Sequence, residues 1–288
     1  VLVVDEAHRL NAKSGMFQNK GENQIKEIIN ASKFSIFFID ENQKVTLKDI
    51  GSEDMIKKYA NELGAGLYTY ELDSQFRCNG SDGYIAWLNN LLEIKETANF
   101  DIDGFDYDFK VFDNPTEMRK AIEEKNAINN KSRIVAGYCW DWIKTGNAKN
   151  NTDIHDIVIP EHNFEISWNL GNSQTWAIDP ESVNEAGCIH TCQGLEFDYV
   201  GVIIGDDMRY ENDHIVTDYT QRAKTDQSLK GINKIAKEQG QEEANKIADL
   251  IIKNTYRTLM TRGMKGCYIY CVDKSLQEYI KNKINVIK

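Results

Sequence analysis

Short apolar runs alternate along this chain with longer stretches in which apolar side chains recur every three or four residues. The short runs have the length of β-strands, and the longer stretches have the periodicity of α-helices. This alternation is typical of α/β folds, in which helices cover parallel sheets. In the first part of the chain it predicts strands at 1–4, 34–39 and 67–72 and helices at 22–31, 52–63 and 81–93.

An acidic, glycine-containing stretch at 97–108 interrupts the pattern, and we predict a boundary there between domains at 1–98 and 99–288. The second domain is predicted to carry insertions near 140–185 and 206–250. Its predicted strands are at 109–112, 133–138, 157–159, 164–168, 187–191, 199–204 and 267–272, and its predicted helices are at 115–127, 218–253, 254–263 and 274–285.

The composition is that of a globular protein, since 41% of the 288 residues are hydrophobic, 27% are charged and only 3 are proline. No apolar run approaches the ~20 residues that span a bilayer, so we predict no membrane partner. The net charge of -11 argues against a protein that binds nucleic acid through bulk electrostatics. A local basic groove remains compatible with it, because the field in one cleft can oppose the net charge.

The six cysteines form no compact disulfide framework. Cys267 and Cys271 are four residues apart in a predicted strand, so both side chains face the same side of a sheet, in the core. Cys188 and Cys192 have the same spacing, but a zinc site needs two further ligands. We therefore expect free, buried thiols and a cytoplasmic location.

Two acidic residues, Asp5 and Glu6, directly follow the apolar run VLVV at the start of the chain. The carboxyl ends of parallel strands are where α/β folds bind ligands. One acid at such a position can hold Mg²⁺, and its neighbour can orient or deprotonate an attacking water. The alternative interpretation is an acidic cap at a strand end, but the position after a buried strand favours function.

Polar side chains also follow the next two predicted strands. Gln43 lies just past the strand at 34–39, where an amide can hydrogen-bond a terminal phosphate or the attacking water. Arg77 lies between a strand and a helix, and its planar guanidinium matches phosphate oxygens. Taken singly, Gln43 could belong to an ordinary polar loop and Arg77 could pair with a surface acid.

A fourth motif, CIHTCQGLEF, occupies residues 188–197. Gly194 permits close approach of the backbone to a ligand. Glu196 can accept hydrogen bonds from a ribose hydroxyl, and His190 and Thr191 can touch a nucleic-acid backbone.

The fifth motif, YRTLMTRG, ends a predicted helix and contains two arginines on separate faces, Arg257 and Arg262. Arg262, at the helix end, is the better candidate for stabilising charge on a transferring phosphate. A helix C-terminus also favours cations for dipole reasons alone, so a purely structural role stays open. Arg257 is a second candidate for contact with a nucleotide.

Together and in this order, the five motifs resemble those of superfamily 1 helicases and translocases, which are phosphate-loop NTPases. The matching residues are Asp5, Glu6, His8, Gln43, Arg77, Gly194, Glu196, Thr261 and Arg262. More narrowly, the segments FFIDENQ, LDSQFRCNGSDGYIAWL, IHTCQGLEFDYVGVIIGDD and YRTLMTRGMKGCYIYC are similar to the bacterial Schlafen-like helicase domain family.

This resemblance implies two RecA-like domains with parallel sheets, the first incomplete at its N-terminus, and ATP bound between them. It implies that Asp5 coordinates Mg²⁺ and that His8 couples hydrolysis to movement along single-stranded DNA or RNA. The implied catalytic residues are Glu6 as the base for water, Gln43 as the γ-phosphate sensor, and Arg77 and Arg262 as cations for the transition state.

The chain departs from the family pattern in two places. The phosphate loop, G-x-x-x-x-G-K-[ST], occurs nowhere in the 288 residues, so we expect it to precede Val1 and expect this chain alone to bind nucleotide poorly. Cys192 and Gln193 stand where many relatives have A-K before the glycine, which leaves the choice of DNA or RNA open.

Two other functions remain open. One is a non-catalytic nucleic-acid-binding module built on a decayed motor scaffold, which the missing loop and the acidic net charge favour. The other is a motor that drives an attached nuclease or other effector outside this chain. The tryptophans of the first insertion could form a base-stacking platform, but we favour the core of a small subdomain. They are Trp140, Trp142, Trp168 and Trp176.

Overall fold

The computed structural model describes residues 1–15, 20–72, 78, 82–98, 106–143, 151–169, 171, 175–192 and 194–285. The chain divides into two compact units. Unit 1 consists of Val1–Asp73 and Gln227–Ala244, and unit 2 consists of Ser74–Asp226 and Asn245–Lys288. The predicted domain boundary between residues 98 and 99 stays a prediction.

The described elements alternate in the way that the apolar pattern predicts. The strands are β1 (Leu2–Val4), β2 (Ser35–Phe37), β3 (Asp108–Val111), β4 (Ser132–Ala136), β5 (Ile157–Ile159), β6 (Phe164–Trp168), β7 (Glu185–Gly187), β8 (Phe197–Ile204), β9 (Met208–Glu211), β10 (His214–Thr217) and β11 (Gly263–Cys271). The α-helices are α1 (Gln24–Ala31), α2 (Glu53–Glu62), α3 (Asp82–Leu91), α4 (Pro115–Asn129), α5 (Ile189–Cys192), α6 (Ile232–Gln239), α7 (Gln241–Met260) and α8 (Lys274–Asn285).

Unit 1 contains a parallel pair, β1 and β2, in which Leu2 lies opposite Ser35. Side-chain caps begin two of its helices. Asn23 accepts a hydrogen bond from the backbone N–H of Ile25 at 3.0 Å, and α1 follows. Ser52 accepts one from the N–H of Met55 at 3.1 Å, and α2 follows. Each cap satisfies a backbone donor that the first helical turn leaves without a partner.

Unit 2 is built on a seven-stranded sheet in the order β3-β11-β8-β4-β7-β6-β5. The sheet is parallel except for the edge pair β5–β6. All five residues of β4, in its centre, are buried, as expected for a parallel strand covered on both faces. The predicted α/β class is therefore confirmed, with a large and mostly parallel sheet.

Three predicted elements are wrong. Residues 67–72 form no strand, because no strand among the described residues pairs with them. The predicted strand at 187–191 is instead the end of β7 followed by the short helix α5. The predicted helix at 218–253 begins too early, since β10 and a 3-10 turn at Tyr219–Gln221 precede α6.

The predicted break between helices at 253/254 is also absent, because α7 runs without interruption to Met260. The break lies earlier, at Gly240, whose φ of 102° ends α6. Such a φ favours glycine, which has no β-carbon to clash.

The cysteine prediction is confirmed for the strand pair, since Cys267 and Cys271 are both fully buried in β11. Cys188 and Cys192 are buried and free as well. Among the described helices, none combines the length and the apolar character needed to cross a membrane.

Candidate functional site

The acidic pair lies where the sequence predicts it, directly after β1. Asp5 is exposed, and its Oδ1 accepts a hydrogen bond from the backbone N–H of Glu6 at 2.9 Å. Glu6 has left-handed backbone angles, with φ 51° and ψ 42°. A 3-10 turn at Ala7–Arg9 follows, so the chain bends sharply after delivering both carboxylates to the strand end.

His8, two residues after Glu6, is buried, with 1% of its surface exposed. Its Nε2 is 3.1 Å from Oε2 of Glu6, although the angles are not those of a hydrogen bond, so the contact is electrostatic. Burial lowers the pKa of the His8 imidazole below its ordinary value, while the carboxylates of Glu6, Asp40 and Asp49 oppose that shift. Three acids therefore surround one buried imidazole.

Asp40, one of these three acids, also holds Gln43 just after the end of β2. Asp40 accepts a hydrogen bond from the Nε2 of Gln43 at 2.9 Å and caps the short turn Glu41–Gln43 through the N–H of Asn42. Gln43 is 4% exposed. Because β1 and β2 are parallel and Ala7 donates its N–H to the carbonyl of Phe38, the two strand ends lie at one edge.

Gly51 is a site-supporting residue that the sequence analysis missed. A β-carbon at Gly51 would lie 1.9 Å from the carbonyl oxygen of Ala7 and 2.8 Å from Cα of His8. The backbone of Gly51 therefore packs directly against the turn that follows the acidic pair. In the sequence, Gly51 stands between an apolar residue and a helix cap. Glycines in such positions are too common for this one to be predicted as part of a site.

Arg77 and Gln193 lie outside the described residues. The remaining candidates, from the motifs at 188–197 and 256–263, lie in unit 2. Gly194 has a φ of 82°, a backbone conformation that favours glycine. Glu196 is exposed beside it.

The structure joins those two motifs through Arg262. Its Nη1 donates to the carbonyl of Leu195 at 3.3 Å, and its backbone carbonyl accepts from the N–H of Phe197 at 2.8 Å. Its Nε donates to the carbonyl of Thr258 at 3.0 Å, and the residue is fully buried. Arg262 thus fixes the Gly194–Glu196 turn to the end of α7.

Arg257 faces another element. Its Nε donates to Oδ1 of Asn89 in α3 at 2.6 Å, and it is 6% exposed. Arg257 and Arg262 therefore contact different partners, as their helical spacing predicts. Leu259, between them on the same helix, is fully buried.

His190 and Thr191 lie in α5, and only His190 is exposed. Thr191 donates its hydroxyl to Oδ1 of Asn169 at 2.7 Å, which ties α5 to the end of β6. Asn169, with φ 54°, was not predicted as part of the site.

The His190 ring lies 5.9 Å from the ring of Tyr138, which also contacts Trp142 and Trp168. Trp168 and Trp176 are buried, at 0% and 2% exposed, and Trp142 is half-buried. Trp168 and Trp176 therefore lie in the core of unit 2, whereas Trp140 and Trp142 are half-buried. The small subdomain expected around the four tryptophans stays a prediction.

The carboxylate oxygens at the end of β1 can supply part of the coordination that a hard cation such as Mg²⁺ needs. Mg²⁺ binds proteins through one or two carboxylates and takes its other ligands from water and phosphates. Asp5 is exposed and one of its oxygens is used only by the adjacent Glu6 N–H, so its carboxylate fits that role. Nowhere in the described ranges do three or more His, Cys, Asp or Glu side chains form a complete metal cluster.

Comparison with known proteins adds two findings. A model of the family described as Schlafen group 3, DNA/RNA helicase domain, matches residues 1–273. An uncharacterized protein of Saccharomyces cerevisiae, YPL245W, is 26% identical over 306 aligned residues. That alignment covers 96% of this chain and 63% of the yeast protein, so the chain spans less than two thirds of that relative's length.

Proposed function

Because the chain belongs to the Schlafen group 3 DNA/RNA helicase domain family, we propose that it forms part of an ATP-dependent nucleic-acid helicase or translocase motor. The observation that carries this proposal is the cluster in unit 1. There Asp5, Glu6 and Gln43 lie at the carboxyl ends of two neighbouring parallel strands. This is the edge at which α/β folds bind ligands.

In the proposed mechanism ATP supplies the phosphoryl group and Mg²⁺ neutralises charge on its phosphates. Asp5 would hold the metal through its exposed carboxylate. Glu6 would accept a proton from the attacking water, and its carboxylate is already oriented by its left-handed backbone and by His8 at 3.1 Å. Gln43, fixed by Asp40, would contact the terminal phosphate or the water.

Buried His8 is suited to couple this step to movement. Its lowered pKa favours the neutral imidazole at neutral pH, so it can accept a hydrogen bond from Glu6 once that carboxylate has taken up a proton. A change at Glu6 is thereby transmitted to the turn that packs against Gly51.

The unit 2 residues are proposed to serve the nucleotide and the nucleic acid. Glu196 would contact a ribose hydroxyl, and His190 and Thr191 would contact the backbone of single-stranded DNA or RNA. Arg262 and Arg257 are proposed as cations for the phosphates. Since the Arg262 side chain donates to its own chain, it would have to exchange the carbonyl of Leu195 for a phosphate oxygen.

The fold that accompanies this function is proposed to be a pair of RecA-like domains in a cytoplasmic protein. The phosphate loop, with Arg77 as a further cation, would complete the ATP site. An attached nuclease or effector is a further proposal for the whole protein.

A non-catalytic nucleic-acid-binding module is the second candidate function. It is favoured by the absence of a phosphate loop from the 288 residues and by the net charge of -11. It requires the residues at 188–197 to bind nucleic acid without turnover at Glu6.

The first experiment measures ATP hydrolysis by the full-length protein and by residues 1–288, each with and without single-stranded DNA or RNA. Stimulation in the full-length protein alone supports the motor and identifies its polymer. Nucleic-acid binding without hydrolysis in either form, with intact folding, supports the binding module.

The variant Glu6→Gln tests the assigned base. In the full-length protein we expect it to reduce hydrolysis by on the order of 10²–10⁴-fold while nucleotide binding is retained, because only proton transfer is lost. Glu62→Gln, at an exposed position in unit 1, is the matched control and should hydrolyse ATP normally. Undiminished turnover by Glu6→Gln would exclude Glu6 as the base.

A further inference from the structure

The end of α7, just before Arg262, is held by hydrogen-bond donors from distant parts of unit 2. The last carbonyls of an α-helix have no partner within the helix, so buried ones need donors from elsewhere. α7 ends at Met260, and four successive carbonyls, from Met260 to Gly263, accept from residues far away in sequence. The donors are Tyr84 to Met260 at 3.2 Å, Cys78 to Thr261 at 3.9 Å, the N–H of Phe197 to Arg262 at 2.8 Å and Tyr107 to Gly263 at 3.0 Å. Tertiary contacts therefore fix the backbone on both sides of Arg262.

Two of these donors, Tyr84 and Tyr107, come from different elements and meet at this point. Tyr84 lies in α3, and Tyr107 directly precedes β3. Their ring centroids are 4.0 Å apart, and the two residues are 0% and 8% exposed. Burial raises the pKa of both hydroxyls well above the ordinary value, so both stay protonated at physiological pH. The carbonyls of Met260 and Gly263 therefore keep these donors.

The contact of Tyr107 lies where β11 is irregular. β11 pairs with β8 in parallel, and the register shifts between Gly263 and Gly266. Such a shift interrupts the ladder of backbone hydrogen bonds locally. The Tyr107 hydroxyl supplies a donor to the carbonyl of Gly263 at this interruption, directly after Arg262. A side chain thus holds the backbone where the sheet holds it less.

Arg262 is held by its side chain as well. Its Nε donates to the carbonyl of Thr258 at 3.0 Å and its Nη1 to the carbonyl of Leu195 at 3.3 Å, and the residue is fully buried. To reach a phosphate, the guanidinium has to leave the Leu195 carbonyl while its backbone stays in place. Stabilising charge in a transition state requires such a preorganised cation, and a misplacement of about 1 Å can lower a rate by about 10²-fold.

We propose that Tyr84 and Tyr107 are positioning residues for Arg262, because their hydroxyls hold the backbone from which its guanidinium reaches the phosphates. The inference rests on the proposed motor function, in which Arg262 neutralises charge in the transition state. Neither tyrosine touches the nucleotide, and both act through the carbonyls of Met260 and Gly263. Losing an interaction that is made only in the transition state lowers kcat and leaves ground-state binding of ATP unchanged.

The double variant Tyr84→Phe/Tyr107→Phe tests this role, since it removes both hydroxyls and keeps both rings. In the full-length protein we expect kcat for ATP hydrolysis to fall about tenfold or more, while KM for ATP changes by less than about threefold. A purely structural role would lower the melting temperature and leave kcat unchanged. Wild-type kcat in the double variant, or a raised KM alone, would therefore overturn the proposal.

Tyr270→Phe is the matched control. Tyr270 also lies in unit 2, in β11, and its buried hydroxyl has no hydrogen-bond partner in the part of the chain that the structure describes. This variant should keep the wild-type kcat and KM, and an equal fall of kcat in it would contradict the proposal. The single variants Tyr84→Phe and Tyr107→Phe, each with one hydroxyl left, should show smaller falls and keep the test decisive if the double variant does not fold.

A second readout does not require ATP hydrolysis. NMR of protein labelled with ¹⁵N-arginine follows the Nε–H of Arg262, which donates to Thr258. This proton should exchange with solvent at least about tenfold faster in the double variant than in the wild type or in Tyr270→Phe, because the end of α7 opens more readily. Unchanged exchange would overturn the positioning of Arg262. Faster exchange together with a full-length wild type that hydrolyses no ATP would refute the motor and still support the positioning, so the two can fail separately.

Discussion

Glu6 adopts backbone angles that residues with a β-carbon usually avoid, with φ 51° and ψ 42°. Such a conformation costs about 1–3 kcal/mol and persists where the surroundings determine it. Here the N–H of Arg9 bonds the Glu6 carbonyl, and the N–H of Ala7 bonds the carbonyl of Phe38. These bonds fix the peptide on both sides of Glu6 and point its carboxylate towards His8.

Gly51→Ala should destabilise the protein by about 1–3 kcal/mol, because the new β-carbon would overlap the carbonyl of Ala7 and the turn must move. Urea unfolding measures the change. Gly66→Ala is the control, since nothing lies within 4 Å of a β-carbon there. Equal stability of the two variants would mean that the Gly51 backbone does not support the site turn.

Asp156→Asn should remove a pH dependence of stability. Burial raises the pKa of the Asp156 carboxyl from 3.8 to about 6, so the folded state binds this proton more tightly than the unfolded state. Its stabilising effect is present below about pH 4 and is lost as pH rises through 6. Near neutral pH the amide, which can still accept from the N–H of Trp168, should be more stable by up to about 2 kcal/mol.

Thermal unfolding between pH 4 and 8 checks this expectation. The matched control is Asp153→Asn, at an exposed position three residues away. A wild-type protein and an Asp156→Asn variant with parallel stability profiles would show that Asp156 is not the responsible group.

At the scale of elements, α7 is anchored to the end of β8 by one hydroxyl. Tyr256 donates to Asp207 and accepts from the N–H of Gly205 at 3.1 Å. Gly137 makes room for this ring, since a β-carbon there would lie 2.2 Å from the hydroxyl oxygen. The same helix carries Arg257, so this contact sets where that side chain lies.

Tyr256→Phe should lower stability by about 1–3 kcal/mol, because the buried N–H of Gly205 and the carboxylate of Asp207 each lose a partner. Tyr270→Phe is the control, because the buried Tyr270 hydroxyl has no hydrogen-bond partner within the described residues. Its loss should change stability by about 0.5 kcal/mol or less. Chemical denaturation compares the two variants, and similar losses would refute the anchoring role.

On the scale of the whole molecule, the two units differ in how well their strands are covered. β1 and β2 bury no residue, whereas β4 is fully buried and β11 is mostly so. Stability within a protein follows such local burial.

Residues 1–288 should therefore open in stages. Amides of β1 and β2 should exchange with solvent by local opening, well before those of β4, β8 and β11, which should exchange only with unfolding of the central sheet. Native-state hydrogen exchange in low denaturant measures this order. A single opening free energy shared by both units would contradict it.

Local patterns predicted most of the fold. The helices α1, α2, α3, α4 and α8 follow from periodicity, and so do the strands β3, β4, β5, β6, β8 and β11 of unit 2, whereas β9 and β10 were not predicted. The errors fell where pairing decides the outcome. Residues 67–72 have the composition of a strand but no partner strand in the part of the chain that the structure describes. The segment at 187–191 turns into a helix once β7 ends.

The candidate site, too, could be predicted from the sequence only in part. The identities of Asp5, Glu6 and Gln43, and their positions after apolar runs, could be predicted because strand ends meet at one edge of a parallel sheet. The contact of Glu6 with His8 and the close approach of Gly51 could not, because they join residues whose spacing has no periodic signal.

The sequence by itself determined the α/β class, the order of the motifs and the chemistry available to each, because these depend on local periodicity and on residue type. Only the tertiary structure decided that Arg262 binds the turn at Gly194–Glu196, that Arg257 binds Asn89, and that no residue of β1 or β2 is fully buried. Those outcomes depend on which distant backbone and side-chain groups meet, and long-range pairing leaves no mark in a short stretch of sequence.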